Sequence, residues 1–423
     1  MITRRQSIQA MAGALGLSGL ASVGLSGRAL AAATGTKKLV LVYNYGGWDP
    51  TRVFAGEFDN GAVDMERQAQ AGTVGDLVFV DHPDRPGVRS FMERHGSKTL
   101  ILNGVLMPSV AHENCLRLSL TGTSADGAPD FAAVAAGHSM ADYPLPHLVV
   151  GGPSFPGEMG AAVTRAGSSG QLEGLLSGDI VTWGENPAVP PRKQAEDVMD
   201  AYLASRARAA ELAATPGKEK ELLAAYAASL ERASNLEDLL HVMDWNGGTD
   251  LSSQARMAVD ALSMGISRCV TLSFTGSGEG WDSHSDNDRI QSTNFESLFA
   301  GVSELMDRLG STPGDVLPTQ ADETLVVVMS EMGRTPKLNE AEGKDHWPYT
   351  SLMMVGPGIS GGRTVGGLDS YGMGKLIDFA SGEEDREGKE IQAANLGATL
   401  LAMLDIDPET VHPGVDVVEG LLG

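Results

Sequence analysis

Lys38-Leu39-Val40-Leu41-Val42-Tyr43-Asn44 is a short, nearly continuous apolar run, followed by Tyr45-Gly46-Gly47-Trp48-Asp49. Without polar alternation, such a run reads as a strand buried on both faces, as in a parallel sheet. Similar runs are Thr99 to Leu102, Leu148 to Val150, Cys269 to Phe274, Thr324 to Met329 and Leu352 to Val355. Helical patterns separate several of them. Ile290, Asn294, Leu298, Val302, Leu305 and Leu309 keep helical spacing, with Gly310 as the expected stop. Strand, helix, strand repetition implies an α/β fold with a mostly parallel sheet flanked by helices.

The stretch from about 191 to 243 is different in composition, rich in Ala, Glu, Leu and Arg. Leu222, Tyr226, Leu230, Ala233, Leu236 and Leu240 line one helical face, and Pro216-Gly217 breaks the pattern. It reads as a helical hairpin inserted in the α/β core, its stripe packed inward. Glu383 to Glu390 is a charge run that reads as a solvated loop.

The chain has 423 residues, 42% hydrophobic and 20% charged, an ordinary composition with enough apolar residues for a large core. Its formal net charge of −24 argues against nucleic acid as a partner, because phosphate binding needs a basic surface. Cys115 and Cys269 lack metal-ligand spacing and sit in apolar context, so they read as buried thiols; an oxidising compartment would allow a disulfide.

Thr3-Arg4-Arg5-Gln6-Ser7-Ile8 is a twin-arginine signature, followed by a Gly/Ala/Leu stretch and small-residue cleavage sites at Ala29-Leu30-Ala31 and Ala31-Ala32-Ala33. Residues 1–33 are therefore expected to be a signal peptide and residues 34–423 a single domain. The mature protein is expected to be periplasmic or secreted, without a transmembrane segment.

The chemistry-bearing residues follow the apolar runs or adjoin them. Asp49 comes after the first strand, and His112 stands in Ala111-His112-Glu113-Asn114, before a helix ending at Thr121-Gly122. Asp282 and His284 stand two apart in Gly280-Trp281-Asp282-Ser283-His284. Glu331 closes the run Thr324 to Met329, with Arg334 three residues on as a possible counter-charge. Asp345 and His346 precede the strand at Leu352. Imidazoles and carboxylates at strand ends suggest a divalent metal site, where open α/β sheets place ligands. Asp345 reads either as a ligand or as the carboxylate that orients His346. No GxSxG elbow is present, which speaks against a serine hydrolase of that type.

Gly-Trp-Asp-Ser-His at 280–284, Ser-Glu-Met-Gly-Arg-Thr-Pro at 330–336 and Asp-His-Trp-Pro at 345–348 resemble the hallmarks of a bacterial family, domain of unknown function 1501. Its members typically carry twin-arginine signals. The resemblance implies an alkaline phosphatase-like fold, shared with sulfatases and phosphodiesterases, and metal ligands at Asp49, Asp282, His284, Glu331 and His346. Two positions depart from the superfamily pattern. Met332 stands where a second ligand is usual. Counting back from Gly122 lands on His112, not on the usual hydroxyl or thiol nucleophile, although Ser109 is near. His112 then reads as a metal ligand, a general base or a nucleophile.

Two functions follow. One is a metal-dependent hydrolase of phosphate or sulfate esters, acting on a small ester substrate. In it Zn, Ca, Mg or Mn is held by a subset of Asp49, Asp282, His284, Glu331, Asp345 and His346. His112 and Arg334 serve catalysis there, Arg334 by neutralising charge on the substrate. The other is a non-catalytic exported protein that binds a metal or a partner protein on the same scaffold.

Overall fold

The strands that read as buried lie side by side in the computed structural model, which describes residues 36–166, 193–224, 226–227, 230 and 249–423. In chain order the strands are β1 Lys38–Asn44, β2 Gln70–Val74, β3 Leu77–Asp81, β4 Thr99–Leu106, β5 His147–Val149, β6 Val163–Arg165, β7 Cys269–Ser273, β8 Thr324–Ser330, β9 Gly333–Arg334, β10 His346–Trp347, β11 Tyr349–Val355 and β12 Arg363–Val365. The helices are α1 Pro86–His95, α2 His112–Thr121, α3 Phe131–Gly137, α4 Lys193–Ala213, α5 Leu251–Ser263, α6 Asn287–Ser311 and α7 Ala393–Met403.

Eight strands form one sheet in the order β12-β4-β11-β8-β1-β7-β5-β6. Every pairing is parallel except those of β11, which runs antiparallel to both β4 and β8. The expectation of a mostly parallel sheet flanked by helices therefore holds, with one reversed strand inside it. The apolar run of β11 looked no different from its neighbours, because a strand buried on both faces has the same composition in either direction.

Alternate side chains of β1 feed two hydrophobic layers. Val40 and Val42 pack on one face with Leu262 of α5 and Phe295, Leu298 and Phe299 of α6. Leu39, Leu41 and Tyr43 pack on the other with Leu118 of α2, Val134 of α3 and Leu400 of α7. The helical stripe read from Ile290 to Leu309 is the buried face of α6. Gly310 does not stop that helix, which runs on to Ser311 before Thr312 turns into extended backbone ahead of Pro313.

Pro216-Gly217 does break the inserted segment, between α4 and a further helix over 218–224. Leu222 and Tyr226 are exposed, contrary to the expectation that their stripe packs inward; Ala233, Leu236 and Leu240, like the expected signal peptide at 1–33, lie outside the described residues. Both cysteines are free and buried, and burial pushes their thiols up, to about 11 for Cys115 and about 12 for Cys269. Among the described residues no helix is long and apolar enough to cross a membrane.

Candidate metal centre

Topology brings five segments to one edge of the sheet. β8, β1 and β7 are adjacent and parallel, so the loops after Ser330, Asn44 and Ser273 leave from the same edge. β4 has the same direction as β8, being antiparallel to β11 as β8 is, so its following loop and His112 at the start of α2 arrive there too. β11 runs the opposite way, which places its leading segment, with His346, at that edge as well.

The loop carrying Asp49 is shaped by two glycines. Gly46 has φ +126° and Gly47 φ +73°, and a Cβ on Gly47 would stand 2.8 Å from Met332 Cγ. That close approach lets Arg334 reach the strand-end carbonyls. Its Nε donates to the Gly47 carbonyl at 2.7 Å, Nη1 to the Lys344 carbonyl at 3.1 Å, and Nη2 to the Gly46 carbonyl and, at 2.6 Å, to Asp282 Oδ1. The β9–β10 ladder pairs Arg334 with His346. Trp281, fully buried and edge-on to Trp48 at 6.1 Å, directly precedes Asp282 and anchors that loop. Gln291 clamps the same loop, donating to the Trp281 carbonyl and Ser283 Oγ while accepting from the Asp49 amide.

Within this frame His112, Asp282 and His346 present donor atoms that all lie within 4.8 Å of one another. His112 Nε2 is 3.6 Å from Asp282 Oδ2, and His346 Nε2 is 3.1 Å from Asp282 Oδ1. His284 flanks the group, its Nε2 3.0 Å from Asp282 Oδ1 and 3.2 Å from His346 Nε2.

Each ring has an acceptor at its outer nitrogen. Nδ1 of His112 faces Glu331 Oε1 at 2.8 Å, Nδ1 of His284 faces Asp345 Oδ1 at 3.0 Å, and Nδ1 of His346 faces the Val110 carbonyl at 2.8 Å. The Nε2 atoms face Asp282 instead, and an ion held there would draw on the Nε2 lone pair of a ring whose proton stays on Nδ1. An imidazole backed by a carboxylate or carbonyl is the usual dress of a metal-binding histidine.

The donor set fits a divalent ion. Donors about 2.0–2.1 Å from a small tetrahedral ion stand about 3.3 Å from each other, close to the separations around Asp282. Nitrogen-rich donors suit zinc better than calcium or magnesium, which take six or more oxygens. Charge agrees with this. Burial pushes the Asp282 carboxyl up, but the Arg334 guanidinium, with His346 and His284, outweighs it and holds the group at about 2. The hydrogen bond to Glu331 raises the pKa of His112, against burial.

The expected site residues therefore fall into three groups. Asp282, His284 and His346 come together, and His112 joins them. Glu331 and Asp345 stand behind the imidazoles. Glu331 is wholly buried, with Oε1 also accepting from the Gly46 amide at 2.8 Å and Oε2 from Ser330 Oγ at 3.0 Å. Asp49 and Arg334 are taken up elsewhere. The Asp49 carboxylate is wholly buried against Lys344 Nζ at 2.8 Å, Asn287 Nδ2 at 2.9 Å, Thr51 Oγ1 at 2.6 Å and Arg52 Nη1 at 3.5 Å. Burial opposes its ionisation, yet Lys344 and Arg52 carry it well below the ordinary carboxylate range. A carboxylate with that many donors has little left for a metal. Arg334 is enclosed, its side chain without exposure, and spends its donors on three carbonyls and Asp282, so it does not face a substrate.

Lys344 and Gln291 went unassigned in the sequence. Lys344 directly precedes Asp345-His346, but a lysine reads as a surface residue unless its partner is known. Gln291 carries no sequence signal beyond its place on the buried side of α6.

The family described as Protein of unknown function (DUF1501) matches residues 102–416. No curated protein matches the sequence. Solved structures similar to this chain include a protein in the alkaline phosphatase superfamily from Vibrio parahaemolyticus, at 9% identity and TM-score 0.39, covering 90% of this chain and 70% of that one. Another is the lipoteichoic acid synthase LtaP from Listeria monocytogenes, at 12% identity and TM-score 0.41, covering 92% and 77%. A third is the phosphonate monoester hydrolase SpPMH from Silicibacter pomeroyi, at 11% identity and TM-score 0.33, covering 90% and 77%. No residue role follows from likenesses of this size. The family match spans most of the sequence, and the chain belongs to the DUF1501 family.

Proposed function

We propose that this member of the DUF1501 family is an exported hydrolase of phosphate or sulfate esters, working with one divalent ion held by His112, Asp282 and His346. The observation that carries the reading is the convergence of the Nε2 atoms of His112 and His346 on Asp282, each ring with an acceptor at its far side. Such an ion supplies Lewis acidity to the ester and makes a water easier to deprotonate.

The chain's own residues do the rest. Glu331 keeps the Nδ1 proton on His112 and so keeps Nε2 free to bind. Arg334 fixes Asp282 Oδ1 and keeps that carboxylate ionised. His284 is the most exposed of the three imidazoles, with 48% of its side chain accessible, and Asp345 holds its Nδ1 proton. Its Nε2 takes the proton of the attacking water, as a general base with a carboxylate behind it does. The water oxygen bonds to phosphorus or sulfur, the bond to the ester oxygen breaks, and the proton passes to the departing alcohol.

Export rests on the twin-arginine signature at Arg4-Arg5. The enclosure of Arg334 favours a second reading, a metal-binding protein without turnover, because the cation paired with Asp282 is not free to face a substrate. A screen of phosphate and sulfate esters on zinc-loaded protein separates the two. Turnover abolished by chelation and by His346→Ala supports the hydrolase, and a tightly bound ion without turnover supports the second reading.

A further inference from the structure

The charges around the centre bear on what kind of ester it takes. Carboxylates dominate. Asp282 and Asp345 are 45% and 63% exposed at the side chain, Glu331 lies beneath His112, and Glu113 is exposed on the first turn of α2 next to His112. Glu113, Glu331 and Asp282 all act on Tyr45, whose ring is 5.3 Å from that of His112; burial and then these charges raise its pKa.

Two cations in this region are locked away. Arg334 and Lys344 have no exposed side-chain surface, and they hold Asp282 and Asp49 respectively. Among the described residues, Tyr45 and Val110 stand beside His112 and His346 and are 41% and 50% exposed, uncharged groups next to the carboxylates. A divalent ion cancels most of the local negative charge without leaving an excess for a doubly charged group. Its pull on a substrate oxygen is opposed at the rim by Asp345 and Glu113.

We infer that the centre selects esters carrying a single negative charge at the reacting group, with an uncharged organic substituent, over doubly charged phosphate monoesters. The inference rests on the divalent-ion reading above. The shared chemistry is a tetrahedral monoanion, offered by a phosphate diester or by a sulfate monoester.

The test uses cobalt-loaded full-length mature protein at low ionic strength and about pH 8, where a phosphate monoester carries two charges. Dimethyl phosphate, methyl sulfate and methyl phosphate are titrated against the visible cobalt spectrum, which reports binding without turnover. The monoanions are expected to bind at least as tightly as methyl phosphate, although a bare ion prefers the dianion. Dimethyl phosphate ahead of methyl sulfate identifies the diester as the source, and the reverse order the sulfate ester. Glu113→Gln, which leaves the ligands in place, is expected to tighten methyl phosphate about threefold more than it tightens the monoanions, and added salt to erase the difference. Methyl phosphate binding most tightly to the unaltered protein, no response to Glu113→Gln, or no anion binding at all would each overturn the inference. A protein that takes up no cobalt removes the ion itself, a failure seen before any anion is added.

Discussion

The Nε2 atoms of His284 and His346 face each other at 3.2 Å, while their Nδ1 atoms face away, to Asp345 and to the Val110 carbonyl. Two nitrogens at that separation leave room for one proton or one metal ion between them and Asp282. Binding zinc to imidazole displaces any proton on it, and the His112 pKa is raised by its bond to Glu331, so zinc uptake is expected to release protons. Calorimetric titration of zinc in buffers of different ionisation enthalpy checks this. The heats should depend on the buffer, with more protons released as pH falls, because His112 has a raised pKa. Buffer-independent heats across the range would count against it.

Glu331 is expected to act through His112. Glu331→Gln still fills the site but no longer offers an anionic acceptor to Nδ1, and its amide can turn a donor toward the ring. Loss of such a backing group weakens metal binding about 10–100-fold. Competition with a chromogenic chelator measures it, and an unchanged affinity contradicts the role.

His284 and His346 should separate in their effects. His346→Ala is expected to lose the ion and all turnover. His284→Ala is expected to keep the ion and lose turnover on an established substrate by about 10²–10⁴-fold, the range for a general base. A His284→Ala variant that loses its metal would instead make His284 a ligand.

Asp49 is expected to matter for stability, not for metal. Asp49→Asn leaves Lys344 buried without its counter-charge, while Arg52 keeps Asp288, a change that costs about 3–5 kcal/mol in urea unfolding at neutral pH. The sign with pH follows from a depressed carboxyl. Its contribution is fully present above the unfolded value of about 3.9 and is lost as pH falls toward the folded one, so stability drops with acid. The variant should show a shallower loss between about pH 4 and pH 2 than the unaltered protein. Parallel curves would mean that the buried pair is not what acid breaks.

Much of the sheet was legible because β1, β4, β7, β8 and β11 each carry an apolar run, and burial on both faces leaves that mark whatever the neighbours are. The direction of β11 was not legible, since direction depends on the connection. The short strands β6 and β12 and the hairpin β2–β3 carry too few residues or too much exposure for periodicity to speak.

In the site, Asp282, His284 and His346 could be read from spacing and from position beside strands. The roles of Asp49 and Arg334 could not. A strand-end carboxylate looks the same in sequence whether it meets a metal or an ammonium, and it is Lys344, reaching Asp49 from 295 positions along the chain, that decides it. Glu331 reads as a ligand by type, and only its 2.8 Å contact with His112 Nδ1 places it behind one.

The central claim is a single divalent ion on His112, Asp282 and His346. Plasma mass spectrometry on the natively exported protein, beside an Asp282→Ala/His346→Ala double variant of matching fold, tests it most directly. The account predicts about one ion per chain, zinc ahead of calcium or magnesium, and none in the variant. An unaltered protein with no ion, and none taken up on incubation with zinc, would contradict it.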